Sequence, residues 1–427
     1  MRISRYQDER GVFRVSIIVE DRVGRLIGKI QNYSWGGFTF IPKLIGFTPE
    51  PDMTYAEYWM GAHEKAPSQI LQNDGTTIAL DDLIKERSEK TLGSYVAQKY
   101  GRLPFLVKVM DVREMLSIQV HPAKSDAEIG FAKENEMGIP LDSPRRNYKD
   151  DNHKPELGVA LSDFWLLYGF RPIEQLQEVL TQVKEFHPFK PIFESKGYFG
   201  LYQHVMEMPQ NLVNALLSTL VERVLQKFTS GKLEESSPDY WVAKAIQGKQ
   251  VDDYDRGIFS IYFLNLVKLK RDQATFQDVG LPHAYLQGQA IEIMANSDNV
   301  IRGGLTSKHV DVPELLRLIK FKGIIPEIIE GKPSGDPYEA FYASPSHDFC
   351  LSRIQLSKGD LYEKTARSIE ILLLLRGETM LDSTDKQMLL KKGESIIVLA
   401  EKNYRIKALS ESALLFRASI PTSQGTA

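Results

Sequence analysis

The spacing of apolar residues changes twice along this chain of 427 residues, and these changes constrain the fold more than any other feature. Short alternating runs, such as 103–121 and 157–170, predict β-strands in the first part of the chain. Between 172 and 255 apolar residues recur at intervals of three and four, which predicts amphipathic helices. From 257 to 420 the runs again predict strands, apart from one helix expected over 311–322. This order favours a mainly β protein with an α-helical insertion.

Composition argues against several classes of protein. Lys and Arg number 53 against 56 Asp and Glu, so the net charge of −3 provides no basic field for nucleic acid. A single cysteine, Cys350, excludes an intrachain disulfide and a cysteine-based zinc finger. Charges recur near the start, and the longest aliphatic run, 371–375, is far shorter than the ~20 residues that span a bilayer. We expect a cytoplasmic protein with no nucleic-acid or membrane partner.

The segment 116–121 is the first candidate site. Its residues alternate, so that Ser117, Gln119 and His121 share one face of a strand while apolar residues share the other. Histidine is a common metal ligand and a glutamine carbonyl oxygen a rarer one, and this spacing lets one ion reach both. A buried polar pair satisfied by its neighbours is the alternative explanation.

Three further polar segments precede or interrupt apolar runs. Glu156 stands at the entrance of a predicted strand, behind the charged run 150–154, and His283 begins another. Arg302 and Lys308 follow, where an arginine fork and a lysine point charge could hold a phosphate. Taken alone, each segment has an ordinary alternative: a solvated loop, a structural histidine or a polar turn.

These motifs occur together in one known family. In their order along the chain, QVHP, NHKPE, PHAY and SDNVIRGGLT resemble the type I phosphomannose isomerases, as do NYSWGG at 32–37 and YAEYWMGAH at 55–63. The resemblance runs from about residue 30 to 315, and more loosely to the C-terminus. Two departures accompany it: Ser34 stands where the family usually has Asp, and 271–280 is more polar than the family's usual apolar turn.

The resemblance implies a zinc enzyme and the roles of its residues. One Zn²⁺ per chain would be held by four ligands: Gln119, His121, Glu156 and His283. The implied catalytic residues are Lys108, His153, Lys154, Glu292, Asp298 and Arg302. Substrate contacts are implied for Ser117 and Lys308. The identity of the proton-transferring base stays open among the implied catalytic residues, apart from Arg302. Either lysine would need a lowered pKa to act as a base. We favour Lys154 and Asp298 as the acid–base residues.

The fold implied by the resemblance contains two cupin-like jelly-roll domains and a helical domain. Residues 1–171 and 256–324 would form the metal-binding catalytic domain, and 172–255 the helical domain. Residues 325–427 would form a C-terminal cupin-like domain without metal. We expect the protein to be a monomer.

The implied activity is zinc-dependent aldose–ketose isomerisation, which interconverts mannose 6-phosphate and fructose 6-phosphate through a cis-enediol intermediate. Two alternatives use the same ligands. A metal-dependent protein that binds sugar phosphate without turnover would keep them but would need neither Arg302 nor Lys154. An iron oxygenase of the cupin type would use two histidines and a carboxylate, but no oxidation cofactor motif accompanies them and the glutamine fits poorly.

Overall fold

Strands dominate the described part of the molecule. The computed structural model describes residues 3–7, 13–17, 23–72, 74–248, 253–384 and 386–421. Its strands form a ten-stranded sheet, a nine-stranded sheet, a four-stranded sheet and a hairpin. The prediction of a mainly β protein with inserted helices is confirmed.

The ten-stranded sheet carries the candidate site residues. Its hydrogen-bonded order runs through six strands: Leu264–Leu269, Phe164–Phe170, His283–Ala295, Phe105–Val112, Glu57–Gly61 and Lys29–Gln31. Glu156–Ala160 pairs with His283–Ala295 on one side and with Ala274–Gln277 on the other. The short strand Gln119–Val120 pairs with the start of His283–Ala295 and with Ile301–Arg302.

The nine-stranded sheet joins an N-terminal part of the chain to the C-terminal part. Its order is Lys332–Pro333, Glu339–Tyr342, Cys350–Ser357, Ser412–Ser419, Glu370–Arg376, Ser395–Val398, Val23–Ile27, Gln69–Leu71 and Thr77–Ala79. The four-stranded sheet comprises Leu361–Ala366, Lys402–Ala408, Glu378–Ser383 and Gln387–Lys391, and the hairpin comprises Ile3–Gln7 and Phe13–Ile17. Direct pairing of Val23–Ile27 with Ser395–Val398 therefore links residues from opposite ends of the chain.

The two longest described helices, Lys190–Glu207 and Gln210–Thr229, lie between the two strand-rich parts. The described α-helices are Phe40–Ile45, Leu80–Glu86, Ser88–Leu92, Ser94–Tyr100, Lys124–Glu136, Ile173–Gln182, Lys190–Glu207, Gln210–Thr229, Pro238–Ile246, Gly257–Phe263 and Val312–Leu318, with a 3₁₀ helix at Lys184–Phe189. None of the helices in the described residues is long and apolar enough to cross a membrane.

The strand prediction for 257–263 is wrong. These residues form the helix Gly257–Phe263, in which every side chain is buried. A helix buried on all sides has no polar face, so its continuous apolar run cannot be distinguished from a buried strand by periodicity. The helix Lys124–Glu136 was missed for the opposite reason, because its sequence is polar nearly all round and only Ala127, Gly130 and Glu134 are buried.

Strict alternation along three neighbouring strands separates the core from the candidate site. Val107, Val109, Leu157, Val159, Ile291 and Ile293 pack in one hydrophobic cluster that also contains Ile371 and Leu373 of the nine-stranded sheet. Lys108 and Glu292, which lie between these apolar residues, and Glu156, which directly precedes Leu157, therefore point to the opposite face of the sheet. Packing against the C-terminal strands thus fixes the position of these three charged side chains.

Candidate metal centre and active site

Two histidines and a glutamate converge at one point on this polar face. One ligand atom each from His121, Glu156 and His283 lies within 4.8 Å of the others, and all three residues are buried. The Nε2 atom of His121 is 3.3 Å from Glu156 Oε1, and Nε2 of His283 is 3.4 Å from Glu156 Oε2. As the sequence predicted, Glu156 and His283 are the first residues of their strands.

The hydrogen bonds of the two imidazoles show which nitrogen faces Glu156 with a lone pair. Nδ1 of His121 lies 2.8 Å from the carbonyl oxygen of Asn299, and Nδ1 of His283 lies 3.1 Å from that of Leu281. A carbonyl only accepts, so each Nδ1 carries the proton and each Nε2 presents a lone pair. Burial also lowers the pKa of His121 to about 4, which keeps its ring neutral.

This donor set fits a divalent cation. Two neutral imidazole nitrogens and a carboxylate face one another, and Nε2 of His121 has no hydrogen-bond partner among the described residues. An arrangement in which only acceptors meet in a buried space calls for a positive charge between them. Backbone carbonyls that fix the other ring nitrogen are the usual support of histidine ligands.

Gln119, the fourth predicted ligand, lies at the edge of this cluster. Strand register places it directly opposite both His283 and Arg302. The predicted alternation is confirmed, because Ile118 and Val120 pack in the hydrophobic cluster shared with the helices.

Lys154 is a buried cation in contact with the metal-ligand set. Its Nζ lies 3.2 Å from Glu156 Oε1, and both side chains are buried. Burial alone would raise the pKa of Glu156, but opposing effects, the largest of which is the charge of Lys154, hold that pKa well below its usual range. The carboxylate is therefore charged and available to a metal ion.

A second buried group lies along the same face. Lys108 Nζ is 3.1 Å from Glu292 Oε1 and 3.9 Å from Glu57 Oε2, and the hydroxyl of Tyr285 donates to Glu292 Oε2 at 2.8 Å. Burial favours a lower pKa for Lys108, but Glu57, Glu292 and Glu156 outweigh it and raise that pKa. The alternative of a lowered pKa for Lys108 is therefore wrong, because carboxylates surround it rather than cations.

Asp298 is held by residues that sequence reasoning missed. Its carboxylate lies 3.1 Å from Nε2 of His63 and 2.5 Å from Nζ of Lys65. Against the effect of burial, these two groups hold the pKa of Asp298 well below its usual range. His63 lies within the quoted YAEYWMGAH segment, but nothing in that segment indicates which distant carboxylate it contacts.

The remaining predicted residues occupy different surroundings. Arg302 is half-buried, and its guanidinium has no hydrogen bond or ion pair within the described part of the chain. His153 contacts Asp348, with Nε2 2.7 Å from a carboxylate oxygen. Ser117 is half-buried beside the ligand strand, and Lys308 is exposed on a loop. The structure thus brings His121, Glu156, His283 and Lys154 together, and strand register places Gln119 and Arg302 opposite each other beside them. His153 contacts Asp348 instead, and Lys308 is exposed.

Two histidines and a carboxylate that converge on one point, with the buried Lys154 beside them, define a metal-dependent protein. The family model "Phosphomannose isomerase type I, catalytic domain" matches residues 23–173. A mannose-6-phosphate isomerase from Shigella flexneri is 38% identical over 379 residues, covering 89% of this chain and 95% of that protein.

Solved structures agree with this match. A crystal structure of a point mutant of phosphomannose isomerase from Salmonella typhimurium has a TM-score of 0.82 at 35% identity, covering 94% of this chain and all of that one. A zinc-bound mannose 6-phosphate isomerase structure has a TM-score of 0.79 with the same identity and coverage. The chain belongs to the type I phosphomannose isomerase family, so it is an isomerase, and its cofactor is a single Zn²⁺.

Proposed function

We propose that this protein interconverts mannose 6-phosphate and fructose 6-phosphate. The observation that carries the proposal is the convergence of His121, Glu156 and His283, with an unpaired His121 Nε2, next to the buried Lys154. The names of relatives 32–38% identical over most of the chain support the substrate.

The reaction moves a proton from C2 to C1 of the sugar through a cis-enediol. It needs a group that carries the proton, at about 2.6–3.2 Å or one water away, and groups that stabilise negative charge on the O1 and O2 oxygens. Gln119, His121, Glu156 and His283 would hold the zinc ion. When bound, Zn²⁺ would polarise these oxygens as a Lewis acid.

Lys154 is our proposed proton carrier, because it is buried and its Nζ is directed at the ligand set. Glu292 is the second candidate, because burial and the charge of Glu156 raise its pKa, although Lys108 and Tyr285 already contact both its oxygens. Asp298, favoured from the sequence, has a lowered pKa and is suited to holding His63 and Lys65 rather than to accepting a proton.

Arg302 is our proposed anion contact. Its half-buried guanidinium lies beside Gln119 in the strand register and has no partner in the described structure, so it is free to bind an enediolate oxygen or a phosphate. Ser117 and Lys308 are proposed as further substrate contacts, and His153 as a catalytic residue that Asp348 orients.

The proposed architecture follows the family. We propose two cupin-like jelly-roll domains, with residues 1–171 and 256–324 binding the metal and 325–427 binding none, and a helical domain over 172–255. Pairing of Val23–Ile27 with Ser395–Val398 would join the two jelly rolls tightly. We further propose a cytoplasmic monomer that acts on a hexose 6-phosphate and has no nucleic-acid or membrane partner.

The direct test is turnover of mannose 6-phosphate by the purified protein in a coupled assay. Activity should disappear with a chelator and return with Zn²⁺. Metal-loaded protein that binds the sugar phosphate without converting it would instead be the non-catalytic binding protein considered above.

Arg302→Ala separates the ligands from the other site residues. We expect the variant to retain zinc and to lose roughly 100- to 1000-fold in kcat, because a donor to developing negative charge is removed. Metal analysis of the purified variant provides the control. If Arg302→Ala also lost its zinc, our division between ligands and catalytic residues would be wrong.

A further inference from the structure

A buried asparagine, Asn299, lies between two parts of the metal centre. Its backbone carbonyl accepts the Nδ1 proton of His121 at 2.8 Å. Its side chain is fully buried and bonds the segment 149–152, which leads directly into Lys154 and Glu156. One residue therefore contacts the support of one ligand and the approach to another.

The side-chain amide of Asn299 uses both its acceptor and its donors. Oδ1 accepts from the backbone N–H of Lys149 at 2.7 Å, while Nδ2 donates to the carbonyls of Asp150 and Asn152, both at 2.8 Å. Asparagine suits this position because its short planar amide offers an acceptor and two donors. Alanine would remove these partners from the N–H of Lys149 and the carbonyl of Asp150, at about 1–3 kcal/mol for each that stays buried, whereas the carbonyl of Asn152 would keep the Oγ of Ser297 at 3.2 Å.

Neighbouring groups hold the backbone that leads into Asn299. The Oγ of Ser297 accepts from the backbone N–H of Asn299 at 3.2 Å and donates to Asp150 Oδ1 at 2.8 Å. The backbone N–H of Asp298 donates to the other oxygen of Asp150 at 2.7 Å. The backbone that leads into Asn299 is therefore held through two successive N–H groups, and its side chain is held by the segment 149–152. This places the carbonyl that accepts from Nδ1 of His121 and so favours one plane and one tautomer of that imidazole.

We propose that Asn299 is a positioning residue for the zinc ligands, acting on His121 through its carbonyl and on the approach to Glu156 through its amide. The inference deepens the proposed function and rests on it in taking the centre as the isomerase's zinc site. Loss of an outer-shell partner of a metal-binding histidine typically weakens metal affinity about 10- to 100-fold.

Asn265 provides a matched control. It is also a buried asparagine, and its Nδ2 lies within 3.1 Å of the carbonyl oxygens of Tyr168, Phe170 and Ile324. Tyr168 lies opposite His283 in the strand register, but the Nδ1 partners of His121 and His283 are the carbonyls of Asn299 and Leu281. Asn265→Ala therefore removes comparable backbone contacts without removing a contact of the residue that holds His121. The experiment compares Asn299→Ala with Asn265→Ala in the full-length chain.

Two quantities are measured: zinc affinity, by competition with a chelator of known affinity, and Tm with and without Zn²⁺. Both variants should lower the Tm of the metal-free protein. Asn299→Ala keeps the backbone carbonyl but loses the amide contacts that hold it, so it alone should weaken zinc binding, by about 10-fold, at the lower end of that range, and shrink the rise in Tm that Zn²⁺ produces. Equal zinc affinities in the two variants would overturn the inference.

A milder variant guards against failure to fold. Ser297→Ala removes the acceptor of the Asn299 N–H and should weaken zinc binding in the same direction by a smaller factor; unchanged affinity there would also count against the proposal. Turnover by the wild type distinguishes failure of the proposed function from failure of this inference. Zinc-bound wild type that fails to isomerise sinks the proposed function alone, whereas an active wild type with an unimpaired Asn299→Ala sinks this inference alone.

Discussion

The metal centre and a second buried cluster, in the C-terminal strands, solve the same electrostatic problem differently. In the second cluster, Arg417 Nε donates to Glu339 Oε1 at 2.8 Å and its terminal nitrogen to Glu370 Oε1 at 2.7 Å. Lys364 and the hydroxyl of Tyr404 occupy the remaining sides of the two carboxylates. The chain itself thus supplies the positive charge that these acids need.

In the metal centre the buried carboxylate mainly faces other acceptors and not cations. Glu156 faces two imidazole lone pairs, and Lys154 contacts only one of its oxygens. Buried acids alone therefore do not distinguish a metal site from a structural ion cluster, since both regions have them. The distinguishing feature is an acceptor aimed at other acceptors, as Nε2 of His121 is.

His121→Ala tests the metal side of this comparison and has the largest expected effect. Without its lone pair the centre should lose zinc and nearly all activity, by roughly 1000-fold or more given the several kcal/mol that a metal supplies. Metal analysis and the coupled isomerase assay check this. The Tm of the metal-free protein should change little, and a large drop there would mean that the histidine is structural, as the residues around Arg417 are.

Arg417→Met tests the other side. Removing the guanidinium leaves Glu339 and Glu370 buried with less compensation, which should destabilise the protein by about 3–5 kcal/mol. Urea unfolding with and without Zn²⁺ measures the loss, which should be the same in both conditions. A variant rescued by Zn²⁺ would show that a cation can replace Arg417 and would blur the contrast between the two clusters.

Acid should weaken the C-terminal cluster through Glu339. Arg417 and Lys364 outweigh burial and lower its pKa from 4.5 to about 2. A lowered folded-state pKa contributes stability above the unfolded value, and this is lost as pH falls from about 4.5 toward 2, by up to about 1.4 kcal/mol per pH unit.

Glu339→Gln removes that titration. In metal-free protein, the fall in unfolding free energy between about pH 5 and pH 3 should be smaller for the variant than for the wild type. Because burial raises the pKa of Glu370, that residue contributes in the opposite direction in both proteins. Equal slopes would show that Glu339 is not held charged by its partners.

A neutral polar pair provides the smallest test. Gln277 and Thr275 are buried on the strand beside Glu156, and Gln277 Nε2 lies 2.7 Å from Thr275 Oγ1 while its Oε1 has no partner in the described structure. The double variant Thr275→Val/Gln277→Leu should change stability by less than about 1 kcal/mol, because both partners become apolar together. Gln277→Glu, which places a second carboxylate opposite Glu156, should be clearly destabilising by urea unfolding.

Sequence reasoning found what local pattern encodes. Alternation around Gln119 and His121, and the placement of Glu156 and His283 at strand starts, depend only on neighbouring residues, and the structure confirms them. Contacts between distant segments were not accessible in this way.

The pairing of Lys108 with Glu292 depends on strand register, and that of Asp298 with His63 on how two loops meet. Asn299 was missed because its role arises from hydrogen bonds to a loop far away in sequence. Motif spacing records which residues are present, but the partner of a buried polar group is decided by tertiary packing.

The pairing of Val23–Ile27 with Ser395–Val398 has a consequence for folding during biosynthesis. Chains emerge from the ribosome N-terminus first, so this early segment can pair with Gln69–Leu71, but its other edge stays unpaired until nearly the whole polypeptide has been made. Closing so long a loop is entropically slow, and an unsatisfied edge is a template for association with other nascent chains. We therefore expect the last folding step of this protein to follow the end of translation. Truncation at either terminus should lower the yield of folded protein more than it disturbs the arrangement of the metal ligands.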